Sequence, residues 1–379
     1  MRILKIEAHP IRLPRDLAAA TGTAGSPTAL APTSARYRWS ELYPCLYSTE
    51  FETAVVQITT DSRLTGWGEA QAPVAPEVAC TIISTLLAPV LEGEDFEGSP
   101  AAIEYLWDRM YSTMRVRGQT GGFMLDAISA IDIALWDLAG KQAGVPVSRL
   151  LSDSPKHRVP AYWSGLPAID RADAARRAID QGFGLFKLFY DTREPVEFFR
   201  SMDGLPSARY AVDALWRHTL EEAVAFGLEL DQRKATWFEA PLAPEDAAAH
   251  GDLALAIETP LAMGESYRTR FELAPFFRAG AVEVLQPDLG RCGITEGMRL
   301  AREAHARSIP VVPHLSIAFG PQISAAIHFA AAAPGCEMAE YNAQVLSTAN
   351  RFLREPICIQ DAAYVVPQGP GLGIEPRLP

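Results

Sequence analysis

Apolar and polar residues alternate from Phe51 to Ile58 (FETAVVQI), the alternation breaks at TTDSRLTG, and it resumes in WGEA. A period of two on either side of a turn-forming run predicts a β-hairpin. The opening run ILKIEAHPIRL supplies a third strand. From Val78 to Met114 apolar positions recur at helical spacing, and a longer helix is expected from Leu125 to Gln142, stopped by Gly144 and Pro146. Strands followed by helices predict an α+β domain over residues 1–125. Within it, residues 14–35 are rich in Ala, Thr, Ser, Gly and Pro and poor in large apolar groups. Such a stretch reads as a mobile loop, either a lid or a plain surface connection.

Beyond Arg158 the pattern changes to short apolar runs, each followed by a helical stretch, which is the mark of βα units and a parallel sheet. The runs are VPAYW, GLFKLF, ARYAV, TWFE, PLAMG, AVEVLQP, IPVVP and CEMAE. Seven of these eight strands carry an ionisable residue at or near the C-terminal end: Lys187, Asp213, Glu239, Glu265, Asp288, His314 and Glu340. The intervals between them are 26, 26, 26, 23, 26 and 26 residues, the length of one βα unit. A closed barrel built this way gathers the seven side chains in a ring at the mouth where barrel enzymes keep their chemistry.

Length and composition narrow the class. The chain has 379 residues, room for a barrel of about 250 residues and a smaller domain. Hydrophobic residues make up 48%, which excludes a disordered chain. Thirty-four Lys and Arg face 46 Asp and Glu, and the net charge of −12 argues against nucleic acid as a partner. No stretch approaches a membrane span, the opening residues lack the apolar core of a signal peptide, and a cytoplasmic location is expected. The five cysteines at 45, 80, 292, 336 and 358 show no zinc or disulfide spacing and read as reduced.

Asp213, Glu239 and Glu265, on three consecutive strands, offer three hard oxygen ligands around one point, a set suited to Mg²⁺. A single acid at a strand end is as often solvated or a helix cap, but three in successive units are not. Asp288 lies on the strand beside the one that ends at His314, so its carboxylate can accept an imidazole N–H, fix the tautomer and raise the basicity. The pair reads as a base and its orienter. The other six histidines fall in the cap, loops or helices and read as structural.

These residues resemble the mandelate racemase subgroup of the enolase superfamily, and acid-sugar dehydratases within it. The likeness runs through TGWGEA, AISAIDIALWDLAGKQAGVPVSRLL, the acids of AVDAL, WFEAPL and AMGES, QPDLGRCGIT, PHLSIAFG and the tail PQGPGLGIE. It implies an α/β fold, a modified (β/α)7β TIM barrel (residues 126–354) under an α+β capping domain, with residues 355–379 returning to the cap. It also implies that Asp213, Glu239 and Glu265 bind Mg²⁺, that Asp288 and His314 form the dyad, and that Glu340 donates a hydrogen bond to a developing enolate oxygen. Two positions depart from the pattern. Many relatives carry Lys-x-Lys on the second barrel strand, the second lysine serving as a base on the opposite face, whereas here Phe189 follows Lys187. The third strand often carries Asp-x-Asn or Asp-x-His, and this chain has Leu215 after Asp213.

An enolase-type site removes a proton α to a carboxylate and must stabilise an enediolate, which Mg²⁺ does as a Lewis acid while Lys187 and Glu340 add hydrogen bonds. Reprotonation on the other face needs a second acid there, and Phe189 supplies none. Elimination needs only His314, which can return its proton to a departing hydroxyl. The expected activity is therefore syn dehydration of a sugar acid to a 2-keto-3-deoxy acid by a homo-oligomer. The alternatives are a cycloisomerase or epimerase of a related acid, and a metal-binding scaffold or pseudoenzyme. Arg36 and Arg38, closing the 14–35 loop with Tyr37 and Trp39, are candidate ligands for a distal hydroxyl or second carboxylate, or else pack on the cap surface.

Overall fold

The computed structural model describes residues 1–14, 30–32, 36–40, 42, 45–167 and 170–379. Most of the expected 14–35 lid lies outside the described residues; Leu30–Pro32 joins Tyr37–Ser40 and Cys45–Ser48 in a small antiparallel sheet.

The main cap sheet is antiparallel, Ile3–Pro14 beside Glu50–Thr60 beside Thr65–Ala70. Its middle strand is buried on both faces. Val56 and Ile58 join the large core, while Val55 packs with Ile11, Leu13, Phe51, Trp67 and, from the barrel side, Phe319. The covering helix Phe123–Ala143 is buried on all sides from Met124 to Gly140 and ends on Gly144 in the left-handed conformation at φ 69°. Its backbone runs so close to the hairpin that a Cβ on Gly68 would fall on the Ala130 carbonyl. Gly68→Val is accordingly expected to cost about 3 kcal/mol or more, read as a lowered denaturation midpoint, because neither backbone can withdraw.

The barrel strands are Arg158–Ser164, Leu185–Phe189, Arg209–Asp213, Phe238–Glu239, Leu261–Met263, Val284–Leu285 and Ala339–Tyr341, all in parallel register. The expected strand IPVVP is reduced to isolated bridges, Val311 to Leu285 and Cys336, and His314 to Asp288. Pro310 and Pro313 remove two N–H donors from the ladder, which is why no continuous strand forms there. The bridges still close the ring, and seven helices fall between the eight strand positions.

Tyr162, Leu185, Ala211, Trp237, Ala262, Val284 and Val312 form one apolar layer inside the barrel. Two residues further along a strand the side chain points to the same face. That step turns Leu185 into Lys187, Ala211 into Asp213, Trp237 into Glu239 and Val312 into His314. On the fifth strand it meets Gly264, where any Cβ would lie 2.5 Å from the Gln286 backbone, and the carboxylate moves on to Glu265. The tail pairs Ala363–Val365 antiparallel with the first barrel strand, presses Gly371 on Gly140, and ends with Leu378 against the cap cluster. Among the described residues no helix is long and apolar enough to cross a membrane, and the five cysteines are free thiols.

Candidate active site

Lys187 is fully buried at the centre of the ring. Its Nζ lies 2.6 Å from Glu239 Oε1, 3.0 Å from Glu340 Oε1 and 3.6 Å from Asp213 Oδ2. Burial opposes its charge, but Glu239 and Glu340 outweigh it and hold the ammonium far above its usual range. Glu239 also accepts from Trp237 Nε1 at 3.0 Å and Gln286 Nε2 at 2.7 Å. Asp213 is also pushed up, well above the carboxylate range, by burial and by the neighbouring charge of Glu239, which in its case disfavours the charged form. Behind it Leu215 and Trp216 both sit at positive φ, 57° and 58°, a strained pair for non-glycine residues. The turn is held by Leu215 N–H to Asp213 Oδ1 at 3.0 Å and Trp216 N–H to Ala240 O at 2.6 Å.

The structure brings His314 and Asp288 together. His314 Nδ1 is 2.7 Å from Asp288 Oδ2, and the other oxygen of Asp288 accepts from Gly290 N–H at 2.8 Å and Gln322 Nε2 at 3.0 Å. Asp288 is thereby fixed from three sides, and Nδ1 of the imidazole is committed to it. Nε2 pairs with Glu265. Burial works against the imidazolium, yet Glu265 and Glu340 raise His314 well above its ordinary value. Glu265, although buried, is drawn down to about 2 by the charges of His314 and Lys187.

Glu340 differs from expectation. Buried as it is, Lys187 and His314 hold it below its ordinary value, and it accepts from Leu315 N–H at 2.9 Å. As arranged it is an acceptor, and the donor beside it is Lys187.

A cleft of about 530 Å³ opens above these groups, walled by the cap on one side and the barrel loops on the other. Asp213, Glu265, His314 and Glu340 line its floor, with Phe189 and Leu215 beside them. Arg36 and Arg38 do not line it. Arg36 is drawn to Glu50 at 2.8 Å, at the start of cap strand Glu50–Thr60, and Arg38 stands in register with Tyr47 on the small cap sheet. The polar groups that do line the cleft include Gln71, Arg291 and Asn342. Gln71 follows the TGWGEA run directly, and Arg291 lies one helical turn beyond Asp288, a position that the strand-end spacing does not select.

The cap is also hydrogen-bonded to the scaffold of the dyad. Glu69, fully buried, accepts the N–H groups of Phe319, Gly320 (3.1 Å) and Gln322 (3.0 Å) at the start of helix Pro321–Ala332. Gln322 in turn donates to Asp288. Burial raises Glu69 from 4.5 to about 7 against the pull of those N–H groups. A carboxyl with a raised folded value contributes fully below its unfolded pKa and loses that contribution as pH climbs through the folded one. Between pH ~4.5 and ~7 the protein should therefore lose on the order of 3 kcal/mol relative to Glu69→Gln, measured as the difference between their denaturant midpoints across pH.

Asp213, Glu239 and Glu265 are not drawn into a ready-made cage, since Glu239 is turned to Lys187 and Glu265 to His314. The donor set nevertheless suits a hard divalent cation. Asp213 and Glu239 stand in direct register on adjacent strands, and the charges of Glu239 and Glu265 both press on Asp213. Repulsion among buried carboxylates is what a bound cation relieves.

Comparison with known proteins places the chain in a family. Residues 47–152 match the mandelate racemase/muconate lactonizing enzyme N-terminal domain family, and residues 170–379 match the enolase C-terminal domain-like family. The chain is 32% identical over 343 residues to D-galactarolactone cycloisomerase of Agrobacterium fabrum, covering 85% of this chain and 88% of that protein. It is 31% identical over 336 residues to arabinonate dehydratase of Saccharolobus solfataricus, covering 85% and 87%. The crystal structure of a candidate isomerase from Sinorhizobium meliloti superposes with a TM-score of 0.93 at 35% identity, covering 99% of this chain and 97% of that one.

Proposed function

Because the chain belongs to the enolase superfamily, in its mandelate racemase subgroup, we propose that it is a Mg²⁺-dependent lyase that dehydrates a sugar acid to a 2-keto-3-deoxy acid. The observation that carries the reading is a cleft lined by His314, hydrogen-bonded to Asp288, and by a phenyl ring at Phe189, where the family resemblance would put a second base.

Asp213, Glu239 and Glu265 would hold the metal, which when bound supplies Lewis acidity toward the substrate carboxylate. The remaining work falls to side chains. Lys187, fixed by Glu239 and Glu340, presents a permanent positive charge to the oxygen on which negative charge grows. His314, with Nδ1 held by Asp288, has Nε2 as the nitrogen that exchanges a proton with the substrate. The same nitrogen returns that proton to the departing β-hydroxyl, so proton and hydroxyl leave from one face. Apolar Phe189 and Leu215 offer no proton for the opposite face, which disfavours racemisation.

A second reading, ring opening of a lactone acid, is favoured by the similarity to the Agrobacterium cycloisomerase. It shares the α-proton abstraction and differs only in the leaving group, the ring oxygen in place of a hydroxyl. Product mass separates the two. Dehydration removes one water from an open-chain acid, and ring opening leaves the mass unchanged. Incubation of the Mg²⁺-loaded protein with aldonic acids and their lactones should yield a semicarbazide-reactive product lighter by one water; recovery of an epimer alone would overturn the proposal.

A further inference from the structure

Gln71 and Arg291, which both line the cleft, each carry a buried side-chain atom that no hydrogen bond engages among the described residues. Gln71 is 3% exposed, its Oε1 is sealed without a hydrogen bond, and its backbone N–H donates to Gly290 O at 2.8 Å. Arg291, the next residue after Gly290, lies in the first turn of helix Leu289–His305. Its Nε is sealed and unpartnered, and among the described residues no hydrogen bond or ion pair engages its guanidinium. The nearby acids are already committed. Asp126 takes Arg268 through two contacts, at 3.0 and 3.2 Å, Glu265 pairs with His314, and Asp288 is filled by Gly290, Gln322 and His314. The neighbouring Arg268 shows what such a guanidinium takes when the chain provides for it, a planar carboxylate.

A guanidinium Nε and an amide oxygen sealed without partners are costly unless a ligand completes them, and a guanidinium matches a planar pair of oxygen acceptors. The reacting carboxylate has its own cation in the role proposed above for Lys187, which lies among Glu239, Glu340 and Asp213 beneath the cleft. We propose that Arg291 and Gln71 form a subsite for a second carbonyl-type terminus of the substrate, either the distal carboxylate of a diacid or the ring carbonyl of its lactone. Arg291 donates to that terminus, and the Gln71 amide meets a hydroxyl next to it. The assignment rests on the function proposed above for the placement of the reacting carboxylate. It moves the recognition of a second carboxylate from Arg36 and Arg38 to a residue attached directly to the dyad's helix.

The test is calorimetric binding to the Mg²⁺-loaded protein of three acids with one carbon skeleton: galactarate, galactarolactone and galactonate, the last ending in an alcohol. The native chain should bind the first two about tenfold or more tighter than galactonate, the scale of a charge-assisted contact. Arg291→Met and Gln71→Leu should weaken those two by about tenfold and leave galactonate within about twofold, while Arg291→Lys restores part of the loss for galactarate. Mg²⁺ affinity and melting temperature of each variant report that the fold and the metal end are intact. Equal weakening of all three acids would mean that Arg291 holds the shared reacting carboxylate, and unchanged affinities, or no preference in the native chain, would equally overturn the subsite. The proposed function is judged separately, by α-proton exchange in deuterium oxide. Preferential binding without exchange sinks the lyase reading alone, and exchange without the preference sinks the subsite alone.

Discussion

Replacement of His314 by Asn should abolish both turnover and α-proton exchange, with a fall of about 10²–10⁴-fold or more in kcat, the range of a general base that also serves as the acid. Asparagine keeps a polar side chain of similar reach and can still meet Asp288, so the dyad's place in the fold survives while its proton capacity does not. The two readouts must fall together, because a single nitrogen is assigned to both proton transfers. Loss of dehydration with exchange retained would show that another group takes the α-proton. Asp288→Asn should fall less, by about 10²-fold, since the imidazole remains but loses its orienting acceptor.

Glu239→Gln should remove Mg²⁺ binding within the range accessible to calorimetry, and activity with it. The carboxylate is the hub of the ring, accepting from Lys187, Trp237 and Gln286 at 2.6, 3.0 and 2.7 Å. An amide has one acceptor oxygen for three donors and turns an N–H₂ toward at least one of them. Leaving a buried ammonium short of its partner costs about 3–5 kcal/mol, so the metal-free variant should also melt earlier than the native chain. Full turnover after chelation and Mg²⁺ readdition would remove Glu239 from the metal set.

The ring of strand-end groups is legible in the sequence because the βα repeat is nearly constant and each polar residue interrupts an apolar run. Lys187, Asp213, Glu239 and His314 each stand two positions beyond a residue of the barrel's apolar layer, and that step of two is written in the chain. The cap hairpin and the long helix are legible for the same reason, as clean periods. Other features are tertiary in origin. Arg36 looks like a ligand until Glu50 is seen 2.8 Å away, and Arg291 looks like an ordinary helical cation until its acids are found already paired. The ionised state of Glu340 depends on Lys187 from a strand far away in sequence. The seventh strand is different again, since Pro310 and Pro313 were visible throughout and argue locally against a continuous ladder.

The contact of Glu69 with the start of helix Pro321–Ala332, and of Gln71 with Gly290, bears on how new specificities could be grafted onto this scaffold. The outer strand Cys45–Ser48 touches the cleft only as wall and is an exchangeable part: a transplant from a relative should alter which acids bind and leave the proton chemistry intact. The short segment from Gly66 to Gln71 is not exchangeable in that sense. It is paired with the cap strand Glu50–Thr60 and hydrogen-bonded to the barrel as well, so a chimera cut inside it inherits one protein's cap and another's misaligned base.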